Sequence, residues 1–290
     1  MRIDTAVFAA SVPQTVVTIT LMIDDFSGRI AVVTGGASGI GKAIAAASKA
    51  AGMTVIIADV EQAALDATCE ELRVDGVQTD VTDPLSVASL ADHIRGRFGN
   101  CDVLFNNAGV APNGLIVQQT LHDWNWVIDV NLRGVVHVIH EFLPMMLENE
   151  RGTHIVNTAS IAGLTSVISA PYTATKYAVV GISEAMREEL SQTTVGVSVL
   201  CPGLVRTNLA KSERNRPASL ENPERGKRAA KWSLPTTVPP VVLDPSVVAE
   251  MTLAAIRNGD FWILTDPSLL ALAWPRYEEL RAIAFPGESS

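Results

Sequence analysis

The sequence predicts a single α/β domain in which a doubly wound parallel sheet of about seven strands carries helices on both faces. Three observations lead to this prediction. Short apolar segments of strand length alternate with longer helix-prone segments along most of the chain. Most of the strand segments are continuous apolar runs, as expected when helices cover both sides of a sheet, and the third, Val77–Thr79, is weak. A glycine-rich turn joins the first strand to the first helix.

The elements follow one another from Arg29 onward. The predicted strands are Ile30–Val33, Met53–Ala58, Val77–Thr79, Val103–Phe105, His154–Asn157, Val195–Leu200 and Phe261–Leu264. The predicted helices are Lys42–Ala51, 61–73, Pro84–Phe98, 121–148 with a break or bend near Pro144, and 172–191. The chain shows no internal repeat and no domain linker, so we expect residues 26–290 to form one domain.

Residues 1–25 precede this pattern and are expected to form a loosely ordered extension. Their apolar part, residues 6–23, is interrupted by Pro13, Gln14 and several threonines. A membrane helix needs about 20 mainly apolar residues. A signal peptide needs a stronger positive start and an Ala-x-Ala cleavage site. We therefore expect neither segment here, and Met22 is a plausible alternative start.

Composition limits the classes of function. The chain has 290 residues, of which 48% are hydrophobic and 18% charged, so a sizeable core can form. A net charge of −9 argues against nucleic-acid binding. Three scattered cysteines give neither a disulfide framework nor a zinc pattern, and a cytoplasmic location is expected. His137 and His140 are interpreted as a packed or interface pair and not as metal ligands. We expect no metal and no membrane partner.

The glycine-rich turn covers residues 34–41 and reads Thr-Gly-Gly-Ala-Ser-Gly-Ile-Gly. Glycines there let the backbone turn tightly and approach a pyrophosphate, and the following helix presents its N–H groups to that anion. A glycine-rich turn alone could be only a tight loop. Its position between a strand and a helix favours dinucleotide binding.

Asp59 ends the second strand, 18 residues after Gly41. A carboxylate at this place can accept hydrogen bonds from the adenosine ribose hydroxyls and would repel a 2′-phosphate. Glu61 adds negative charge, and residues 57–62 contain no Arg or Lys. NAD is therefore the expected cofactor. Lys42, the nearest cation to the glycine-rich turn, keeps NADP as the alternative.

The remaining polar motifs each follow a predicted element in a fixed order. Tyr172 and Lys176 are four residues apart on one helix, so they share a face. With these residues the sequence resembles the short-chain dehydrogenase/reductase family over roughly residues 26–265. The matching pieces are Thr34 to Gly41, Asp80, Asn106 to Gly109, Asn131, Ser160, Tyr172 with Lys176, and Pro202-Gly203 with Thr207.

The resemblance implies a Rossmann-type fold and hydride transfer between NAD(P)(H) and a secondary alcohol or ketone. It implies Tyr172 as general acid/base, Lys176 as the cation that stabilises the tyrosinate, Ser160 as the donor to the substrate oxygen, and Asn131 as the holder of a water. The cofactor-binding residues that it implies are Gly35, Ser38, Gly39, Ile40, Gly41, Asp59, Asp80, Val81, Asn107, Ala108, Gly109, Tyr172, Lys176, Pro202, Gly203, Val205 and Thr207.

One spacing departs from the family pattern. Ser160 lies 12 residues before Tyr172, one fewer than is usual in the family, and position 159 is alanine. A contraction of the loop 164–171 explains the difference. Ser166 and Ser169 are the other candidates for the catalytic serine, but neither directly follows the strand.

Residues 204–244 break the strand–helix alternation and contain five prolines. Irregular segments of this length are usually functional lids, and the family has its substrate lid at this place. Residues 206–231 hold eight basic and three acidic side chains, which could meet an acidic substrate tail or merely solvate a loop. We favour a hydrophobic secondary alcohol or ketone as the small-molecule substrate.

Two further expectations rest on the family. A nucleotide-sensing binding protein on the same fold is the alternative function, but such proteins typically lose the catalytic tyrosine or lysine, and this chain has both. Family members are commonly dimers or tetramers that associate through the helices around 121–148 and 172–191. A homodimer or homotetramer is therefore expected.

Overall fold

The computed structural model describes residues 23–112, 114–165, 169–222 and 241–286. Its strands are β1 (Ile30–Thr34), β2 (Thr54–Asp59), β3 (Asp75–Gln78), β4 (Val103–Asn106), β5 (Thr153–Thr158), β6 (Val195–Cys201), β7 (Leu204–Val205), β8 (Val242–Leu243) and β9 (Trp262–Leu264). Seven of them form one parallel sheet in the order β3-β2-β1-β4-β5-β6-β9. The predicted fold class is thus confirmed.

Helices cover both faces of this sheet. They are α1 (Gly39–Ala50), α2 (Gln62–Leu72), α3 (Pro84–Phe98), α4 (Leu121–Ile128), α5 (Gly134–Leu147), α6 (Ala170–Glu189), α7 (Pro245–Asn258) and α8 (Trp274–Ala284). Side chains of α1, α2 and α7 form the apolar core of one face, and those of α3, α5 and α6 form that of the other. Within the described ranges, no helix is both long enough and apolar enough to cross a membrane.

Strands β1 and β4 are parallel neighbours at the centre of the sheet. From β1 the chain adds β2 and β3 on one side, and from β4 it adds β5 and β6 on the other side. Connections from these two strands leave toward opposite sides and open a crevice at the carboxyl edge of the sheet. Ligands of doubly wound sheets bind at such a switch point. The fold therefore places the loops after β1 and β4 where a dinucleotide would enter.

The irregularity in the predicted helix 121–148 lies earlier than expected. Helix α5 runs through Pro144, and the chain instead widens into a π-helical turn at Asp129–Arg133, between α4 and α5. Pro144 lies close to the end of α5, where one lost backbone hydrogen bond is outweighed by the burial of Phe142, Met145 and Met146. A π turn inside a helix is typical of functional sites, and this one contains Asn131.

The core begins at Ile23, before the predicted start of the domain at residue 26. Ile23 and Phe26 are both 1% exposed and join the core on the α1 and α7 side. The Arg257 guanidinium lies 4.6 Å from the centre of the Phe26 ring. Of the extension expected over residues 1–25, Ile23 is thus part of the core, and residues 1–22 lie outside the described residues.

Candidate active site

A cavity of about 400 Å³ opens at the carboxyl edge of the sheet. Its walls come from the segments that follow β1 to β6 and from α6. The predicted site residues in these walls are Gly35, Ser38, Gly39, Ile40, Asp59, Asp80, Val81, Asn107, Ala108, Gly109, Ser160, Tyr172, Lys176, Pro202, Gly203, Val205 and Thr207. Gly41 and Asn131 lie directly behind the walls, so the structure brings the predicted set together in one place.

The glycines of the turn after β1 are required by backbone geometry. Gly35 and Gly39 have φ angles of +64° and +54°, which disfavour residues with a side chain. A Cβ on Gly35 would lie 2.9 Å from the Ala108 Cα, and one on Gly41 would lie 2.2 Å from the Gly35 carbonyl oxygen. The turn thus folds tightly on itself and against the loop after β4.

Hydrogen bonds fix these two loops to each other. The backbone N–H groups of Asn107 and Ala108 donate to Thr34 Oγ1 at 2.9 and 3.1 Å. The Asn107 amide donates to the Thr34 carbonyl oxygen at 3.1 Å. Helix α1 begins at Gly39, earlier than the predicted Lys42, so its first N–H groups lie within the turn. This cradle of close backbone and a helix N-terminus fits the pyrophosphate of a dinucleotide.

Asp59 lies at the end of β2, as predicted, and is 9% exposed. Its carboxylate accepts the Ala37 N–H at 3.0 Å and the Glu61 N–H at 3.1 Å. Burial raises the pKa of this carboxyl group, and the backbone hydrogen bonds oppose the rise. Asp59 therefore supports the glycine-rich turn in addition to facing the cavity.

Lys42, the cation that kept NADP as an alternative, has another partner. Its ammonium lies 2.6 Å from the carboxylate of Glu71 on α2. Helix α1 carries Lys42 toward α2, and the cavity walls do not include it within the described part of the chain. Among the described residues of the wall, the cation at this end of the cavity is Arg214, which pairs with Glu61.

The loop after β3 supplies Asp80 and Val81 to the cavity. The Asp80 carboxylate accepts from the backbone and the hydroxyl of Thr82, which closes a tight turn. His137 Nδ1 lies 2.9 Å from the Val81 carbonyl oxygen and ties this turn to α5. In the described ranges, no group of three or more His, Cys, Asp or Glu side chains is arranged to hold a metal ion.

The proposed catalytic side chains converge from α6 and the end of β5. Tyr172 and Lys176 are 4% and 3% exposed and lie one helical turn apart, facing the cavity. The Lys176 ammonium donates to the Thr158 carbonyl oxygen at 2.7 Å and lies 5.6 Å from the centre of the Tyr172 ring. Ser160 lies next to the Tyr172 phenol, and its hydroxyl acts to lower the pKa of that phenol.

Burial dominates the electrostatics of this cluster. It raises the pKa of Tyr172 to about 12, although the Ser160 hydroxyl opposes the rise. It lowers the pKa of Lys176 to about 8. Desolvation therefore outweighs any lowering of the Tyr172 pKa by Lys176 in this structure, and the role of Lys176 toward a tyrosinate stays a prediction. Desolvation penalises both charged forms, and the ammonium is directed at the Thr158 carbonyl and not at the phenol oxygen.

Ser160 follows β5 and lines the cavity beside Tyr172. Its hydroxyl also accepts the Ala162 N–H at 3.1 Å and so caps the short helix 161–163. Ser169 lies at the start of α6, outside the described cavity wall. Ser166 lies outside the described residues. Among the described candidates, Ser160 has the position that the catalytic serine requires.

Asn131 lies in the π turn and is fully buried. Its side chain accepts the Val110 N–H at 2.8 Å and donates to the Val110 carbonyl oxygen at 2.9 Å. A Cβ on Gly109 would lie 3.5 Å from Asn131 Oδ1 and 3.6 Å from Lys176 Nζ. Asn131 thus fixes the loop after β4 directly behind the lysine.

The predicted lid starts and ends at the same place. Strands β7 and β8 pair in parallel, with Leu204 opposite Val242, so the two ends of the predicted lid lie side by side. Residues 204–220 cross the cavity and include the short helices Leu209–Asn215 and Ala218–Leu220. The Ser212 hydroxyl accepts the Ala111 N–H at 3.0 Å. The basic residues Arg225, Lys227, Arg228 and Lys231 lie outside the described residues.

An ionic cluster anchors the lid, and sequence reasoning missed it. The Arg216 side chain is 4% exposed and lies 2.6 Å from Asp123 and 2.8 Å from Glu213. Its guanidinium stacks 4.2 Å from the Trp126 ring centre. The ion pair between Arg216 and Asp123 joins residues that lie 93 positions apart in the sequence. The signal that could have drawn attention to Asp123 is the capping box Thr120-x-x-Asp123 at the start of α4.

Residues 29–218 match the family model described as short chain dehydrogenase. The chain belongs to the short-chain dehydrogenase/reductase family. It is 31% identical over 274 residues to a "CLA biosynthesis dehydrogenase/reductase" of Lactiplantibacillus plantarum, covering 88% of this chain and 94% of that protein. It is 41% identical over 189 residues to a 1-deoxy-11-beta-hydroxypentalenate dehydrogenase of Streptomyces avermitilis, covering 62% and 70%.

A solved structure agrees with this family assignment. A short-chain dehydrogenase/reductase from Burkholderia phymatum, in complex with NAD, superposes with a TM-score of 0.81 at 38% identity, covering 92% of this chain and 99% of that chain. This short-chain dehydrogenase/reductase is therefore an oxidoreductase that uses a nicotinamide cofactor and acts on CH–OH groups of a small-molecule substrate.

Proposed function

We propose that this enzyme transfers a hydride between NAD(H) and a hydrophobic secondary alcohol or ketone, with Tyr172 as the general acid/base. The observation that carries the proposal is the convergence of Tyr172, Ser160 and Lys176 on the cavity that also contains the glycine-rich turn. The reaction needs all three side chains: Tyr172 for proton transfer, Ser160 for orienting the substrate and Lys176 for positive charge. They meet although they lie on two separate elements.

The protonation states favour proton donation to a ketone. With a pKa of about 12, the Tyr172 phenol is protonated at neutral pH and can donate to a carbonyl oxygen. Ser160 contacts the same phenol and can donate a second hydrogen bond to that oxygen, which develops negative charge. The nicotinamide, when bound, supplies or accepts the hydride.

Lys176 supplies positive charge at the reacting end of the cavity. With a pKa of about 8, it is charged at neutral pH and stabilises a phenolate that forms after proton donation. The Thr158 carbonyl oxygen fixes its position. Asn131 acts behind it by holding the loop 109–110 in place, and in the family it would also hold a water for the lysine.

The apolar lining supports a hydrophobic substrate. Beyond the polar cluster, the cavity walls include Val110, Trp126, Leu204, Leu209 and Leu220. Small-molecule sites are mostly apolar with a few polar groups that orient the ligand. Two of the similar proteins are a C alpha-dehydrogenase and a 1-deoxy-11-beta-hydroxypentalenate dehydrogenase, and both names describe dehydrogenation.

Asp59 and Glu61 support NAD(H) over NADP(H). Both side chains lie in the cavity wall at the end of β2, where the Asp59 carboxylate would repel a 2′-phosphate and the Glu61 carboxylate pairs with Arg214. The NAD complex of the Burkholderia phymatum relative agrees with this preference. Lys42 pairs with Glu71 and supplies no competing positive charge.

The direct test is oxidation of a panel of hydrophobic secondary alcohols with NAD⁺ and NADP⁺ in parallel. We expect turnover with at least one alcohol and a higher kcat/KM with NAD⁺. Asp59→Asn keeps the side-chain shape but removes the charge, and we expect it to reduce the preference for NAD⁺ by about tenfold, the effect of about 1.4 kcal/mol. Asp83→Asn, at the cap of α3, is the matched control.

Melting temperatures of both variants separate specificity from folding, because Asp59 also bonds the glycine-rich turn. A higher kcat/KM with NADP⁺ in the wild type would contradict the preference. No oxidation or reduction of any alcohol or ketone, despite cofactor binding, would favour the nucleotide-sensing alternative.

A further inference from the structure

The lid reaches across the cavity and contacts Glu61, just after the end of β2, through an ion pair and a hydrogen bond. Arg214 Nε and Nη2 donate to the two oxygens of Glu61 at 3.1 and 2.7 Å. The neighbouring Asn215 amide donates to the same carboxylate at 2.9 Å. The pair joins residues 153 positions apart in the sequence, so the fold alone creates it.

Arg214 is held in a defined orientation. While one edge of its guanidinium forms the fork with Glu61, Nη1 donates to the Lys211 carbonyl oxygen at 3.0 Å. Bidentate arginine–carboxylate pairs fix geometry as well as charge. The side chains of Arg214 and Glu61 are still 37% and 29% exposed, so solvent and ligands can reach the pair.

The hydrogen bonds at Glu61 keep it ionised. Burial would raise the pKa of its carboxyl group, but the hydrogen bonds from Arg214 and Asn215 and the charge of Arg214 lower it more. At neutral pH the pair is thus a carboxylate and a guanidinium that cancel each other. Asp59, which shares this wall, remains the uncompensated charge there.

Arg214 is also the cation best placed to meet an anion at this end. Among the described residues of the cavity wall, the cationic side chains are Lys176 and Arg214, and Lys176 lies at the catalytic end beside Tyr172. Arg214 shares its wall with Asp59, the proposed partner of the adenosine ribose. An arginine fork matches a phosphate as well as it matches a carboxylate.

We propose that Glu61 is a specificity-determining residue that acts by occupying Arg214, a lid residue that would otherwise bind the 2′-phosphate of NADP(H). With Glu61 in place, residues 204–222 of the lid cover the adenosine end with Arg214 already paired. Without Glu61, Arg214 becomes an anion site beside the ribose. The proposal deepens the NAD preference proposed above and rests on the same placement of the adenosine end.

The test uses two fragments of the cofactors that lack the nicotinamide, so the result does not depend on turnover. Calorimetry on the full-length protein measures the Kd of ADP and of 2′,5′-ADP, which differ by the 2′-phosphate. The ratio of the two Kd values reports recognition of that phosphate. The variants are Glu61→Gln, Arg214→Gln and the double variant, with Glu188→Gln as a control that removes the same charge from an exposed ion pair on α6.

Glu61→Gln is expected to improve 2′,5′-ADP binding relative to ADP by at least about fivefold, the lower range for a partly exposed charge-assisted hydrogen bond. The double variant is expected to lose this gain. Arg214→Gln alone should weaken 2′,5′-ADP relative to ADP, because Glu61 is then unpaired. Glu188→Gln should leave the ratio unchanged.

Two results would overturn the proposal: no gain in Glu61→Gln, or a gain that persists in the double variant, which would show simple loss of negative charge. The proposed NAD preference is judged separately, from the wild-type ratio. A wild type that binds 2′,5′-ADP more tightly would contradict that preference, whereas the role of Glu61 is read from the change between variants.

Discussion

At the scale of single residues, the buried Lys176 is the feature with the clearest energetic cost. Its pKa falls from 10.5 to about 8 because burial penalises the ammonium. The unfolded chain therefore binds a proton more tightly than the folded chain between these values. Below pH 8 the folded state bears the full cost of the buried charge, and stability increases as the pH rises from about 8 toward 10.5.

Lys176→Met should therefore stabilise the fold while abolishing activity. At pH 7 we expect the free energy of unfolding to rise by about 1–3 kcal/mol, the desolvation cost less the lost hydrogen bond to Thr158. The difference from wild type should shrink as the pH rises through the range from 8 to 10.5. Urea unfolding at several pH values measures it.

Lys49→Met is the matched control, because Lys49 also donates to backbone carbonyls, of Leu72 and Arg73, but is exposed. We expect no stabilisation there. A lower free energy of unfolding for Lys176→Met than for the wild type at pH 7 would show that the buried ammonium does not destabilise the fold.

Sequence reasoning performed unevenly at this scale. It named Tyr172, Lys176 and Ser160 because their spacing and order are local properties of the chain. It did not foresee that burial would raise the pKa of Tyr172, since burial depends on every element packed around α6. Arg214 and Arg216 were counted only as part of a basic stretch, because their partners lie far away in sequence.

At the scale of elements, the lid is held by charge and stacking as well as by apolar contact. Arg216 lies between Asp123, Glu213 and the Trp126 ring, and the Asn222 amide also donates to Asp123. Removing one partner of a buried ion pair leaves the other charge uncompensated, a loss of about 3–5 kcal/mol. Arg216 thus determines whether residues 209–222 stay docked on α4.

Arg216→Met should undock this part of the lid. We expect faster limited proteolysis within residues 209–222 and a KM for the substrate raised about tenfold or more, as about 1.4 kcal/mol of binding is lost. Arg206→Met is the control in the same lid, since Arg206 is 72% exposed and lies 3.5 Å from Asp244. Equal proteolysis of the two variants would contradict a special role of Arg216.

The strands were predicted more accurately than the irregular parts of the helices. The predicted strands coincide with all seven strands of the main sheet, with shifts of one or two residues at several ends, although the third rested on the weak segment Val77–Thr79. The π turn at Asp129–Arg133 was missed, because Pro144 was the stronger local signal and the wide turn depends on the contacts of Asn131 with Val110. The pairing of β7 with β8 joins residues too distant for a local pattern to show.

At the scale of the whole molecule, the core on the α1 and α7 face of the sheet includes a segment that precedes β1. Ile23 is buried against the α1 and α7 face, whereas residues 1–22 lie outside the described structure. A chain that starts at Met22 keeps Ile23. We expect it to retain its melting temperature, its oligomeric mass and its activity.

Ile23→Ala in the full-length chain is the matched comparison. Loss of this buried side chain should cost about 2–5 kcal/mol and lower the melting temperature. Light scattering and thermal unfolding of both proteins check these expectations. Loss of folding or a change of oligomeric mass on starting at Met22 would show that residues 1–21 have a structural role.

Tyr172→Phe tests most directly whether Tyr172 donates the proton that accompanies hydride transfer. The change removes one hydroxyl and leaves the α6 packing almost intact, so reduction of the best ketone should slow by at least ~10²-fold, the lower range for a general acid. NADH binding, measured by fluorescence, should stay within about twofold, since half a kcal/mol or less is lost. Tyr177→Phe, on the same helix beside Arg276, should keep normal turnover. Near-normal turnover by folded Tyr172→Phe would contradict the assignment of Tyr172 as the proton donor.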